Sequence, residues 1–322
     1  MQGDCEVILL MIAALRLPLA APSTGCQVPA AMTNTLTIVA QREATSLTPA
    51  MLNQIRNAVR GAPPVVLSPG EAADIPLSGP LDQEALRAAI DGKPIDAIVT
   101  KARGRRKALL LADMDSTIVQ GETLDDLAGF AGVGEKIAAI TRRAMNGELD
   151  FKAALRERVA MLKGLDLDAL EKTWQQVRLT SGALELVATM RAKGALTALV
   201  SGGFSFFTGK VAAQLGFDVH RSNILLDDGS ALIGQVGEPI LDRDSKLAAL
   251  HELAAQRGVK LHATLAVGDG ANDLHMIRAA GLGVAFRAKP IVAKEARARV
   301  DHADLRALLF AQGYPASAFV GG

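Results

Sequence analysis

Two aspartates one residue apart, Asp113 and Asp115, end the apolar run Ala108–Ala112. A carboxylate at such a place can ligate a metal, act as a nucleophile or transfer a proton. Two of them allow a division of labour. Asp113 is read as the nucleophile that attacks phosphorus and forms an aspartyl-phosphate. Asp115 is read as the acid–base group that protonates the leaving oxygen and later activates water. Like-charge proximity helps one of the two to keep its proton. A carboxylate approaching a phosphoryl group meets charge repulsion, so a hard cation is required, and Mg²⁺ with oxygen ligands fits. Asp113, the main-chain carbonyl of Asp115, and Asp269 could supply those ligands.

Three further pieces complete the set. Ser201 and the Gly202-Gly203 amides can donate to phosphate oxygens at a strand-to-helix turn. Lys246 offers a point charge that neutralises the phosphoryl group and its aspartate. Asn272 and Asp273, in the run Gly268–Asp273 (G-D-G-A-N-D), can orient Lys246 and the waters of a bound metal.

The elements that must position these residues are legible. Ala108–Ala112 reads as a strand buried on both faces, as in a parallel sheet. Open α/β sheets bind ligands at the carboxyl ends of their strands. Ala195–Val200 and Thr264–Val267 are further strands, each followed by one of the motifs. Singly, each motif has an ordinary explanation as an acidic turn, a flexible loop or a surface charge. In this order, each after a strand or at a helix start, they form a set.

Composition bounds the rest. With 35 basic and 34 acidic residues the net charge is +1, so an anionic ligand must be caught locally rather than by a global field. Neither nucleic acid nor a membrane is expected as a partner. The two cysteines, Cys5 and Cys26, cannot staple the body of the chain, which suits a reducing, cytoplasmic setting. Val7–Leu15 is far shorter than the roughly 20 residues of a membrane span, and Asp4 and Glu6 disfavour an export signal. Residues 1–31 are expected to be a disordered extension or an artefact of the chosen start codon.

Organisation follows the patterns. Residues 33–101 read β-α-β-β-α-β, a ferredoxin-like unit with Thr48-Pro49 and Asp82 opening its helices. It could be a structural appendage or a small-ligand or dimerisation module. Ala102–Lys107 (A-R-G-R-R-K) reads as a solvated basic linker. Residues 107–119 and 181–322 form the catalytic α/β core, with a hairpin at Asp227-Asp228-Gly229. Residues 120–180 are wholly helical by periodicity, an insertion placed to act as a lid over the strand ends.

At these motifs the chain resembles the haloacid-dehalogenase superfamily of phosphatases and, within it, the phosphoserine phosphatases. D-M-D-S-T-I-V-Q-G-E, F-K-A-A-L-R-E-R-V, V-S-G-G-F, Asp244-Ser245-Lys246 and V-G-D-G-A-N-D carry the similarity, which spans roughly Lys107–Ala288. The resemblance implies a Rossmann-like parallel sheet with a helical cap, preceded by a small α+β ferredoxin-like (ACT-like) domain. It implies Asp113, Asp115 and Asp269 as metal ligands. It implies substrate contacts at Glu122, for an amine, at Arg158, for a carboxylate, and at Phe151, Ser201, Gly202, Lys246 and Asn272. Met145 is a further candidate. Glu122 and Arg158 are also the charged groups on the cap side, although either could be an ordinary helix-surface charge.

The expected activity is therefore Mg²⁺-dependent hydrolysis of O-phospho-L-serine to serine and phosphate, the last step of serine biosynthesis, with a homodimer as the candidate assembly. The alternatives are the same machinery acting on another small phosphate ester, phosphoryl transfer to an alcohol such as homoserine, or an amino-acid sensor with a vestigial phosphatase domain.

Overall fold

β5 (Leu109–Ala112) alternates with period two and is buried on both sides. Leu109 and Leu111 join one apolar cluster, and Leu110 and Ala112 join another. The computed structural model describes residues 32–322, so the expectation for residues 1–31, with Cys5 and Cys26, lies outside the described residues.

The amino-terminal layer runs β1 (Asn34–Ala40), α1 (Pro49–Ala58), β2 (Val65–Ser68), β3 (Ala72–Leu77), α2 (Gln83–Ile90) and β4 (Ile95–Lys101). Its strands pair antiparallel in the order β2-β3-β1-β4, the ferredoxin-like arrangement. The helix starts are set by side-chain caps. Thr48 accepts the Met51 N–H, and Asp82 accepts those of Glu84 and Ala85.

After β5 come α3 (Thr123–Phe130), α4 (Gly134–Met145), α5 (Phe151–Ala160) and α6 (Asp168–Gln176). The ends of this helical stretch are tied at a neck. Gln120 N–H donates to Arg178 O at 2.8 Å, and Thr180 N–H to Ile118 O at 2.9 Å. The chain continues through α7 (Ala183–Ala192), β6 (Leu196–Phe204), α8 (Ser205–Leu215) and β7 (Val219–Asn223), then the hairpin β8 (Leu225–Asp227) and β9 (Leu232–Val236). It closes with α9 (Arg243–Arg257), β10 (Thr264–Gly268), α10 (Leu274–Ala279), β11 (Leu282–Phe286), α11 (Pro290–Glu295), β12 (Ala298–Val300) and α12 (Ala307–Ala311).

The second sheet is parallel throughout, in the order β12-β11-β10-β5-β6-β7. α9 and α10 cover one face, while α7, α8 and α12 cover the other. Strand order reverses between β5 and β10, which opens a crevice at their carboxyl ends.

In the basic stretch Ala102–Lys107, Arg103, Gly104 and Arg106 are exposed, as a solvated linker would be, but Arg105 is not. Arg105 lies between the amino-terminal sheet and α12, bonding Asp74 and Thr37 on the one and the carbonyls of Phe310 and Ala311 on the other. Arg106 stacks over the Tyr314 ring at 4.7 Å. The partners come from distant positions, so charge counting along the segment could not find them.

Removing one member of a buried ion pair strands the other and costs about 3–5 kcal/mol. Arg105→Ala should therefore lower unfolding free energy by about 3 kcal/mol in urea titration, with partial recovery when Asp74→Asn is added. Loss of less than about 1 kcal/mol would mean that Arg105 is not the clamp described here.

Candidate active site

The site lies at the reversal point. Asp113 follows β5 directly and takes two contacts on one oxygen: Oδ1 accepts from Met114 N–H at 2.8 Å and pairs with Lys246 Nζ at 2.7 Å. Burial, with repulsion from Asp273 and Asp269, raises its pKa well above the usual carboxylate range. The chain then turns sharply, with Ser116 at φ +55°, and brings Asp115 back toward the sheet. Asp115 Oδ1 accepts the Thr123 N–H at 2.9 Å, and its Oδ2 is 3.4 Å from Ser201 Oγ. Burial raises its pKa too.

Near the end of β6 come Ser201-Gly202-Gly203, and a side chain at either glycine would push into a residue of the site. A Cβ on Gly203 would lie 2.6 Å from Asp115 Oδ2, and one on Gly202 would lie 2.7 Å from the Phe151 ring.

Lys246 is fixed by where α9 begins. Asp242 caps that helix, accepting from Asp244 and Ser245 N–H, and Ser245 Oγ accepts the Asp242 N–H in return. One turn in, Lys246 is 1% exposed and bridges Asp113 to Asp273, at 2.6 Å from the latter. Burial alone would lower its pKa, but the two carboxylates outweigh that and raise it. The other oxygen of Asp273 accepts the N–H groups of Asp269 and Gly270, so Asp273 is occupied in holding the loop and Lys246.

Asp269 differs. It is 2% exposed, and its Oδ2 is buried with no hydrogen-bond partner; the nearest cation, Lys289 Nζ, stands 3.7 Å away. Burial and the Asp273 charge push its pKa up to about 7. Carboxylate oxygens of Asp113, Asp269 and Asp273 converge within 4.8 Å of one another. An orphaned buried oxygen and hard donors in excess of the nearby cations fit a divalent metal ion.

Asp113, Asp115, Glu122, Met145, Phe151, Arg158, Ser201, Gly202, Asp269 and Asn272 line one cavity. The residues picked from sequence are thus brought together, with Lys246 just behind Asp113. Glu122 is held by Ser116 Oγ at 2.7 Å, and its pKa is raised well above normal by burial and by Asp115. Arg158 is 3% exposed on α5. Sequence reading missed Lys289, Ser116 and the residues that hold Arg158, Thr141 and Asp125. Lys289, Thr141 and Asp125 stand in no motif and their partners are distant in sequence, whereas Ser116 and its partner Glu122 lie six residues apart in the first motif, which carries no sign of that contact.

A parallel sheet with a buried aspartate cluster and lysine at its reversal point, under a helical cap, defines a phosphoryl-transfer type of α/β hydrolase. The chain belongs to the haloacid dehalogenase-like hydrolase family, which matches it over residues 110–278. It is 47% identical over 199 residues to the phosphoserine phosphatase of Streptococcus thermophilus, covering 62% of this chain and 93% of that one. It is 42% identical over 212 residues to the phosphoserine phosphatase of Archaeoglobus fulgidus, covering 66% of this chain but only 62% of that relative's length. The fold also matches the crystal structure of a probable phosphoserine phosphatase from Vibrio cholerae in unliganded form. That match has TM-score 0.72 and 33% identity, and covers 89% of this chain and 88% of that one.

The sign of the Asp269 shift makes a stability prediction for metal-free protein. Its folded-state pKa, about 7, exceeds the ordinary carboxylate value of 3.8. Between those values the folded state holds a proton that the unfolded chain has lost, so stability falls as pH rises toward 7. In EDTA, Asp269→Asn should raise Tm relative to wild type at pH 8, and the gain should shrink at pH 5. A variant less stable than wild type at pH 8 would contradict this electrostatic account.

Proposed function

We propose that this protein hydrolyses O-phospho-L-serine to L-serine and inorganic phosphate in a Mg²⁺-dependent reaction, the final step of serine biosynthesis. The observation that carries the reading is Arg158. It is a buried guanidinium lining the cavity of Asp113, and among the described residues no carboxylate oxygen lies within 4.0 Å of it. A buried charge without an opposite partner is costly, and a substrate carboxylate would supply the partner. Glu122 complements it, because burial and the Asp115 charge push its pKa well above normal, and a substrate ammonium beside it would offset that cost.

The hydrogen bonds of Asp113 converge on Oδ1, which leaves Oδ2 to attack phosphorus. As the P–O bond to Asp113 forms, the ester P–O bond breaks and Asp115 passes its proton to the serine oxygen. Asp115 then takes a proton from water, the water oxygen bonds phosphorus, and the P–O bond to Asp113 breaks. Ser201 and the Gly202 amide would bind the non-bridging oxygens, with the Gly203 N–H donating to Ser201 Oγ at 2.9 Å, Phe151 would pack over the substrate, and Asn272 and Lys246 would hold the phosphoryl group. Asp113, the Asp115 carbonyl and Asp269 would hold the metal, which would supply charge neutralisation at the phosphoryl oxygens. On this reading residues 120–180 are the cap over a core of 107–119 and 181–322. The amino-terminal layer is an accessory ACT-like domain, and a cytoplasmic setting suits the cysteine usage.

Phosphate release from O-phosphoserine should require Mg²⁺ and vanish in Asp113→Asn with the fold intact by circular dichroism. Release without added metal in EDTA, or by the variant, would remove this mechanism.

Specificity has its own expected outcome. Arg158→Ala should lower kcat/KM for O-phosphoserine about a hundred-fold or more, yet change phosphoethanolamine, which has no carboxylate, far less. Equal losses on both would leave a phosphatase without the proposed substrate.

A further inference from the structure

Arg158 is the carboxylate reader in the reading above, and the present inference rests on that reading. What remains open is how a buried, unpaired guanidinium stays in one orientation. Two of its five N–H groups are accounted for. Nε donates to Ala154 O one helical turn back, at 3.2 Å, and Nη1 donates to Thr141 Oγ1 on α4 at 2.9 Å. The first contact ties the side chain to its own helix. The second reaches across to another.

The Thr141 hydroxyl has a single proton. It lies 2.6 Å from Asp125 Oδ1 on α3 and 3.1 Å from Ile137 O, so the shorter, charge-assisted contact to Asp125 takes it. With its proton committed there, Oγ1 presents its lone pairs to Arg158. Asp125, Thr141 and Arg158 thus form a directed chain through three cap helices.

We propose that Thr141, oriented by Asp125, is the positioning residue that sets carboxylate specificity by holding the Arg158 fork through a neutral acceptor. Neutrality is the essential property. A carboxylate in place of the hydroxyl would hold the guanidinium as well, but would neutralise it and compete with the substrate. A hydroxyl fixes geometry and leaves the charge, with three remaining N–H groups, for the ligand. Asp125 acts at one remove: it aims the hydroxyl without forming an ion pair with Arg158 within 4.0 Å. An aliphatic residue at position 141 would fill the space and withdraw the acceptor.

The test compares two substrates in wild type, Thr141→Val, Thr141→Ser and Thr141→Asp, using O-phosphoserine and phosphoethanolamine. Thr141→Val should raise KM for O-phosphoserine about ten-fold, the scale of one hydrogen bond to a charged group, and leave KM for phosphoethanolamine within about two-fold. Thr141→Ser, which restores the hydroxyl, should return both values to within about three-fold of wild type. Thr141→Asp should abolish the preference for O-phosphoserine, because Arg158 is then captured. A Thr141→Val enzyme that keeps the wild-type preference, or that loses both substrates equally while Thr141→Ser does the same, overturns the proposal. If wild type itself shows no preference for O-phosphoserine over phosphoethanolamine, the substrate reading falls first and this inference with it.

Discussion

A buried ammonium needs opposite charge at contact distance, or it costs several kcal/mol. Lys246 meets that condition with Asp113 at 2.7 Å and Asp273 at 2.6 Å. Its partners belong to the end of β5 and the turn before α10, and Lys246 to the first turns of α9, so one side chain locks three elements where strand order reverses. The register of α9 is in turn set by the Asp242–Ser245 capping box. Lys246 cannot neutralise the whole cluster, however. Asp269 keeps an oxygen with neither proton donor nor close cation, and that imbalance is what a divalent ion would correct.

On the proposed reading, the residues that would recognise the ligand sit on a different part of the chain from those that would react. Asp113, Asp269 and Lys246 stand on the parallel sheet and its helices, whereas Met145, Phe151 and Arg158 stand on α4 and α5, tied back by the paired neck at Ile118–Gln120 and Arg178–Thr180 and by bonds between Gly164, Leu165 and Leu167 and the β8–β9 hairpin. The reactive groups are mutually braced by charge, so they can be rigid whatever the cap carries. The cap residues are braced by hydroxyls instead: Ser116 holds Glu122, and Thr141 holds Arg158. Neutral supports leave the acid and the base unpaired, which is what a zwitterionic ligand would require.

Much of this was legible in the sequence because it is local. Apolar runs ended by Asp113, Ser201 or Gly268 announce parallel strands with polar mouths, and Thr48-Pro49 and Asp82 announce helix starts through their own backbone contacts. The β-α-β-β-α-β order likewise follows from local periodicity, and the antiparallel pairing order agrees with it. One distant pair was legible from motif order rather than locality: Asp273, named with Asn272 as an orienter of Lys246, lies 2.6 Å from it, while Asn272 Oδ1 has no partner among the described residues. What could not be read were contacts between distant positions outside the motifs. Thr141 looks like one more residue on an amphipathic helix, Lys289 like a surface charge before a proline-started helix, and Arg105 like linker charge.

Arg105 shows how far the amino-terminal layer departs from an appendage on a tether. Val39, Leu67, Ala72 and Ile98 of that layer share an apolar cluster with Leu305, Leu308 and Phe310. β4 lies against β12, and its Asp96 carboxylate accepts the N–H groups of Asp301, His302 and Ala303 at 2.7–3.1 Å. The carbonyl of Ala303 then accepts from Arg287, two residues before Lys289, whose own N–H donates to Asp269 O at 2.9 Å. The loop after β11 is therefore held at one end by the amino-terminal layer and at the other by the aspartate cluster. Arg287 keeps a positive φ there, a conformation that a non-glycine residue holds only when its surroundings over-determine it. The amino-terminal layer is among the groups that do so, which makes it part of the framework on which the position of Asp269 depends.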